Sequence, residues 1–247
     1  MLAFAGNSVL CRVALAQTGI DPASFTSIRL ASGAVVLWLV VRLTRQGQSG
    51  GGSWGSALAL FGYAACFSFA YVSLTAATGA LLLFGAVQLS MLGYGLCHGE
   101  KINLQRGVGL GIAVTGILVL LLPGSSAPNP LYAAVMVCSG LGWAAYSIAG
   151  KAMQNPLAST LANFILAVPF VLLVYLVFYS QSFIKPQGVL LALLSGGLAS
   201  SGAYVLWYAI VKRIDRVTAS SVQLSVPCLA ILGGALFIGE ADRKSVV

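Results

Sequence analysis

The side chains with the clearest chemical use in this sequence are amides and aromatic rings set within long apolar segments. Amide and phenol groups form hydrogen bonds without carrying a fixed charge, so together they can hold both ends of a zwitterion. Aromatic walls accept apolar groups and attract a cation through their faces. This combination favours the binding of a small amphiphilic solute. The candidate binding residues are Asn7, Tyr63, Gln88, Trp143, Tyr146, Tyr204, Trp207 and Gln223.

Catalytic acids, bases and metal ligands are scarce in the apolar segments. The carboxylates all stand at segment ends or in loops, at Asp21, Glu100, Asp215, Glu240 and Asp242. His98 is the single histidine and no Cys-x-x-Cys pair occurs, so we expect neither a metal site nor a cofactor. A membrane-embedded enzyme needs a nucleophile, a base or a metal cluster, and is therefore poorly supported. Without a buried carboxylate, facilitated diffusion or exchange is favoured over proton coupling, while coupling through Glu100 or an ion stays open.

Three residues within the apolar segments are expected to have structural or gating roles. Arg29 lies several residues into the second segment, where an unpaired charge costs about 2.5 kcal/mol or more at mid-bilayer. It can extend toward the near surface, pair with Asp21 or cap helix-end carbonyls, which favours a structural or gating role near the outer mouth. Arg12 lies near the outer end of its own helix. Pro227 removes a backbone donor and frees a carbonyl one turn earlier, near Gln223.

The composition indicates a membrane protein. The chain is 59% hydrophobic and 7% charged, against about 25% charged residues in a soluble domain. Lipid must therefore cover part of the surface. The net charge of +8 comes from scattered basic residues, which suits orientation in a membrane better than nucleic-acid binding.

Nine continuous apolar segments predict membrane-spanning helices, because most approach the roughly 20 residues that cross a bilayer. They cover Leu2–Ala16, Ala23–Leu43, Trp54–Leu74, Ala77–Cys97, Gln105–Leu122, Leu131–Gly150, Ser159–Tyr179, Gln187–Val211 and Thr218–Ile238.

Basic residues predict the orientation. Loops after even-numbered segments hold Arg42, Arg45, Lys101, Arg106, Lys151, Lys212, Arg213 and Arg216. Loops after odd-numbered segments hold only Lys185, which places the N-terminus in the cytoplasm, although Arg243 and Lys244 in the tail fall on the other side.

The chain contains a weak internal repeat. The apolar run Ala86–Glu100 recurs as Val226–Glu240, and each copy ends in Gly-Glu. The pairs Asp21-Pro22 and Asn155-Pro156 match as well, which makes Arg29 equivalent to Asn163. We therefore expect a first repeat of five helices over residues 1–124 and a second of four over 130–247. An odd number of helices per repeat inverts the second copy, and a tenth helix is expected to be missing through truncation, with a true nine-helix protein as the alternative.

These segments resemble the EamA branch of the drug/metabolite transporter superfamily. The resemblance rests on Phe4–Leu15, Pro22–Arg29, the Gly99-Glu100 helix end, Gly202–Ala209 and Val222–Glu240. It implies an all-α fold of two inverted five-helix repeats, of which nine of the ten helices are present here. It also implies that segments one, three, four, six, eight and nine surround a central cavity that contains the candidate binding residues. Arg12, Arg29, Pro227, Glu100 and Glu240 are then expected to serve gating or structural roles.

The resemblance implies an exporter of amino acids or other small amphiphilic metabolites or drugs. Such a protein works by alternating access in the bacterial inner membrane, as a monomer or homodimer, with a small-molecule substrate and the lipid bilayer as its partners and without a cofactor. The alternative is a non-transporting scaffold or inactive truncated product. A carrier of nucleotide-linked sugars has less support, since it needs buried Lys or Arg and only Arg12 and Arg29 are available.

Overall fold

The computed structural model describes residues 1–44, 50–99, 107–109, 111–112, 115–116 and 128–239. Over these ranges the chain is helical and forms no strand. The helices are α1 (Leu2–Val13), α2 (Pro22–Thr44), α3 (Trp54–Ala70), α4 (Ala76–Cys97), α5 (Pro130–Gly150), α6 (Pro156–Val177), α7 (Pro186–Leu194), α8 (Ser201–Val211), α9 (Arg216–Gln223) and α10 (Ser225–Ile238).

Several helices are long and apolar enough to cross a bilayer. In the described ranges these spans are Pro22–Thr44, Ala76–Cys97, Pro130–Gly150, Pro156–Val177, Pro186–Val211 and Thr218–Ile238. Helix α3 is apolar and has 17 residues, about 25 Å at 1.5 Å per residue. Large apolar side chains cover the outer surface, as at Leu236 and Phe237, which are 79% and 77% exposed. The prediction of an all-α polytopic membrane protein is confirmed.

Polar side chains cap the starts of several helices. The Asn155 side chain accepts a hydrogen bond from the Ala158 backbone N–H, and Pro156 occupies the first turn. Asp215 accepts from Thr218 in the same way at the start of α9. The two repeated helices also end alike, because Gly99 and Gly239 follow them with φ of +82° and +67°. This left-handed backbone favours glycine and ends a helix.

The first helix of each half packs against helices of the other half. Helix α1 packs against α10 and against the span that contains α7 and α8. Its counterpart α5 packs against α4 and α3, the counterparts of those partners. Helices α2 and α6, which are equivalent to each other, pack together. Inverted repeats related by a two-fold axis would produce these contacts.

Two spans are interrupted in the second half. A π-helical turn at Ser195–Ser200 joins α7 to α8, and such turns are frequent at functional sites. The last described span breaks at Leu224, between α9 and α10. Pro227 accounts for this break, because it has no N–H to donate to the Gln223 carbonyl one turn earlier.

Some sequence predictions fall outside the described residues. These are most of the fifth segment, part of the stretch between the two predicted repeats, Glu100, Glu240 and the tail from residue 240 onward.

Candidate functional site

Arg29 lies at the centre of the described bundle and is 0% exposed. Its Nε donates a hydrogen bond of 3.2 Å to Ser200 Oγ in the π-helical turn. Its Nη2 donates to the phenol oxygens of Tyr63 at 3.0 Å and Tyr204 at 3.1 Å. The sequence suggested that Arg29 extends to a membrane surface or pairs with Asp21. The structure shows neither arrangement. Arg29 ties α2 to α3 and to the span that contains α8.

Two aromatic rings lie beside the guanidinium. Its central carbon is 5.3 Å from the ring centre of Tyr63 and 4.9 Å from that of Phe67. A cation held over ring faces gains about 2 kcal/mol when water is excluded. Rings and hydroxyls thus offset part of the cost of burying this charge.

The candidate aromatic residues converge beside Arg29. The Trp143 ring centre lies 5.0 Å from Tyr63 and 4.8 Å from Tyr204. Phe4 adds edge-on contacts at 5.4 Å to Trp143 and 6.1 Å to Trp207. We call this set the central cluster; its members are Phe4, Arg29, Tyr63, Trp143, Tyr146, Tyr204 and Trp207. Each member is buried.

Two candidate amides flank the central cluster. Asn7 Oδ1 accepts a 2.6 Å hydrogen bond from Ser195 Oγ, which joins α1 to the π-helical turn. Gln223 Oε1 accepts a 2.7 Å bond from Trp143 Nε1, and its Nε2 contacts Met91 Sδ at 3.7 Å. Asn7 therefore links the two halves through Ser195, and Gln223 links them through its contact with Met91.

Glycines set the backbone distances at the site. A Cβ on Gly196 would collide with the backbone oxygen of Arg29. Helix α2 can therefore pack this closely against the π-helical turn only because residue 196 has no side chain. A Cβ on Gly142 would lie 2.9 Å from the Tyr63 backbone nitrogen. These approaches fix Arg29 and Tyr63 against the second half.

Three other predicted residues are not members of the central cluster. Gln88 is buried on α4, and its Oε1 has no hydrogen-bond partner in the part of the chain that the structure describes. Arg12 donates from Nη1 to the carbonyls of Tyr71 and Val72 at 3.0 and 3.1 Å, and so caps the end of α3. Pro227 is buried in α10.

Sequence reasoning missed several contributors. Ser195 and Ser200 face the site because the π-helical turn rotates them toward Asn7 and Arg29. Phe4 and Phe67 were not separable from ordinary core residues, since an apolar ring carries no chemical signal of its own. Tyr208, near the end of its segment, is also 0% exposed.

Acidic and metal-binding groups do not gather in the described ranges. Asp21 accepts hydrogen bonds from the backbone N–H groups of Ser24 and Phe183, and Asp215 starts α9. The described residues contain no group of three His, Cys, Asp or Glu that could hold a metal ion. The candidate site thus consists of hydroxyls, amides, rings and one cation.

Relatives of this chain point to one family. The profile of the EamA-like transporter family matches residues 131–245. The uncharacterized protein PA1977 of Pseudomonas aeruginosa is 49% identical over 241 residues, which cover 97% of this chain and 84% of that protein. An uncharacterized transporter of Archaeoglobus fulgidus is 25% identical over 92% of this chain and 82% of its own length.

The fold comparison agrees with the sequence matches. A crystal structure of another protein superimposes with a TM-score of 0.73 at 19% identity, over 95% of this chain and 88% of that one. This similarity establishes the shared fold, and the sequence matches identify the family. The chain therefore belongs to the EamA-like transporter family of the drug/metabolite transporter superfamily, and is a multi-pass membrane transporter.

Proposed function

We propose that this protein exports amino acids or other small amphiphilic metabolites and drugs across the bacterial inner membrane by alternating access. The N-terminus lies in the cytoplasm in this proposal, and the substrate binds at the central cluster. The protein acts as a monomer or homodimer. The proposal extends the family assignment to a substrate class, a site and a direction.

The central cluster is the observation that carries the proposal. It is assembled from both halves of the chain, because Tyr63 on α3 contacts Trp143 on α5 and Tyr204 on α8. In transporters built from inverted repeats, the substrate site lies near mid-membrane at the interface between the repeats. Aromatic walls with a few polar groups are also the usual lining of small-molecule sites.

Contacts between the halves at both ends of the bundle support alternating access. At one end, Asp21 Oδ2 accepts a 2.9 Å hydrogen bond from the Phe183 backbone N–H, and the hydroxyls of Ser24 and Ser182 are 3.1 Å apart. At the other end, the Arg216 guanidinium lies 5.0 Å from the Tyr94 ring centre. Opening one end while the other stays closed would break the contacts at that end and keep those at the other.

The distribution of carboxylates supports uniport or exchange. The described carboxylates, Asp21 and Asp215, both accept backbone hydrogen bonds at helix starts. Neither lies within the central cluster, where a proton-coupling acid would have to meet the substrate. A solute gradient therefore supplies the driving force in this proposal.

Counterflow in proteoliposomes tests the proposal. Purified protein is reconstituted into vesicles preloaded with an unlabelled solute, and uptake of the labelled solute is followed for a panel of amino acids, amines and drugs. We expect protein-dependent counterflow for at least one amphiphilic solute, and its loss in the Trp143→Ala variant. Counterflow for no member of the panel would refute the proposed function, and an undiminished rate in Trp143→Ala would refute the proposed site.

A further inference from the structure

The hydrogen-bond balance around Arg29 leaves donors without acceptors. A guanidinium carries five N–H groups, of which Nε supplies one and each terminal nitrogen two. Ser200, Tyr63 and Tyr204 accept the Nε donor and both Nη2 donors. Nη1 is buried and has no hydrogen-bond partner among the described residues. Two N–H groups on a permanent cation therefore lack an acceptor.

The neighbouring phenols add a third donor. Tyr63 and Tyr204 both accept from Arg29, and one hydrogen bond of 3.2 Å joins their oxygens. The two phenols carry two hydroxyl protons, and the hydrogen bond between them uses one of these protons. Whichever phenol donates in that bond, the other O–H has no acceptor in the described part of the protein. A buried polar group in this condition costs about 1–3 kcal/mol until it meets a partner.

The positive charge of Arg29 also lacks a counter-ion in the described ranges. Asp21 bonds to the backbone at the start of α2 and to the Phe183 N–H, and Asp215 bonds to Thr218. Neither carboxylate is bonded to the guanidinium. Hydroxyls and ring faces stabilise the cation only in part, because a buried charge requires close pairing for full compensation.

Helix packing alone does not require a cation at this position. The matching proline pairs make Asn163 the equivalent of Arg29 in the second half, and Asn163 is likewise buried, at 1% exposure. There the amide accepts a 3.0 Å hydrogen bond from the Ser53 backbone N–H. A neutral amide is therefore sufficient at this position of α6. Packing between equivalent helices does not explain why residue 29 of α2 is charged.

We propose that Arg29 binds the carboxylate of the transported solute through Nη1, with an adjacent phenol hydroxyl as second donor. This inference rests on the proposed function and adds the chemical class of the substrate. A single fixed charge matches a carboxylate, whereas a phosphate monoester carries about −1.5 to −2 and needs more cations. In this proposal the rings of Trp143 and Phe4, which pack edge-on at 5.4 Å in the central cluster, contact the ammonium or apolar portion of the solute.

Competition with matched analogues tests this assignment. L-phenylalanine, its amide and 3-phenylpropionate are compared as competitors of counterflow, since the amide lacks the carboxylate and the propionate lacks the ammonium. For the wild-type protein we expect the amide to compete at least tenfold more weakly than the amino acid, and the propionate to compete measurably. An amide that competes as well as the amino acid, or phenyl phosphate that competes better, would overturn the proposal.

Substitution of Arg29 tests whether this residue makes the distinction. In Arg29→Gln the amino acid and its amide should compete equally, while Arg29→Lys should retain part of the preference. The control is Arg42→Gln, which removes an exposed cation beside Trp38 and should leave the preference unchanged. If Arg29→Gln does not assemble, the Arg29→Lys comparison decides the assignment, and an undiminished preference in that variant counts against it.

A binding measurement separates this inference from the proposed function. Thermal unfolding of the purified protein in detergent is followed with 3-phenylpropionate and with 2-phenylethylamine, because a ligand that binds the folded state raises its stability. Stabilisation by the carboxylate alone, reduced in Arg29→Lys, with no counterflow of any solute, would refute transport and retain the anion site. Counterflow without any preference for carboxylates would retain transport and refute the anion site.

Discussion

The phenol oxygens of Tyr63 and Tyr204 lie 3.2 Å apart and join the two halves of the protein. Tyr63 belongs to α3 and Tyr204 to α8, and Nη2 of Arg29 donates to both. Three polar groups from three spans thus meet away from water. Because movement of one half against the other must separate or shift this junction, its strength should affect both stability and the rate of transport.

Removing either hydroxyl should weaken the junction. In Tyr63→Phe or Tyr204→Phe, Arg29 loses one acceptor, and a hydrogen bond to a charged group is worth about 1.5–3 kcal/mol. Thermal unfolding in detergent should show a lower midpoint for each variant, and the double variant should lose less than the sum because the bonds are shared. Tyr179→Phe is the control, since Tyr179 is 64% exposed. Strict additivity would contradict a shared junction.

Gly196 and Gly202 give a matched test of backbone contact within one span. A Cβ on Gly196 would meet the Arg29 carbonyl oxygen, whereas a Cβ on Gly202 meets nothing within 4 Å. Gly196→Ala should therefore separate α2 from the span and lower the yield of monodisperse protein in fluorescence-detected size exclusion. Gly202→Ala should match the wild type or unfold at a slightly higher temperature, because alanine favours a helix by about 1 kcal/mol. Equal behaviour of the two variants would argue against close packing at Arg29.

The fold followed from the sequence because its signals are local and repeated. Continuous apolar runs predicted the spans, and the side chains of Asn155 and Asp215 cap helices that begin two to three residues before the predicted segments. The glycines that end the repeated runs, Gly99 and Gly239, adopt the left-handed backbone that a helix end favours. Such features depend on neighbours along the chain, so no knowledge of tertiary contacts was needed.

The surroundings of Arg29 could not be predicted in this way. Its partners Tyr63, Ser200 and Tyr204 are 34, 171 and 175 positions away. A lone arginine near a segment end suggested contact with a membrane surface, and only the packing of three spans shows that it is enclosed. The sequence does not reveal the π-helical turn that points Ser200 toward Arg29. Its serines and glycines are also the small residues found where ordinary membrane helices pack together.

The hydrogen bond between Trp143 and Gln223 offers a test of coupling between α5 and α9. Trp143→Phe and Gln223→Leu each remove one partner of a 2.7 Å bond and leave the other buried. A double-mutant cycle on unfolding should give a coupling energy of about 0.6–1.7 kcal/mol, the range for hydrogen bonds between membrane helices. Trp54→Phe is the control, since Trp54 is 60% exposed. A coupling energy indistinguishable from zero would show that the two groups act independently.

Reporter fusions test the predicted orientation. A reporter active only outside the cytoplasm should be inactive when fused at Arg213 and active when fused at Ser182, because basic residues cluster in the former loop. Lys212 and Lys151 contact backbone carbonyls of each other's loops, through Gln154 and Ile214, so these loops share one end of the bundle. The opposite activities at the two sites would reverse the proposed orientation.

Transport should not depend on a proton gradient. The described carboxylates serve as helix caps, and Asp21 accepts bonds of 2.8 and 2.9 Å from the Ser24 and Phe183 N–H groups. Asp21→Asn should therefore lower stability modestly, by about 1 kcal/mol, because the amide keeps one acceptor oxygen for the helix cap, and should leave counterflow independent of the pH gradient. Counterflow measured with and without an imposed pH gradient, and with a protonophore, should be equal. Uphill accumulation that follows the gradient and disappears in Asp21→Asn would identify this carboxylate as a proton carrier, and would replace exchange with proton-coupled transport.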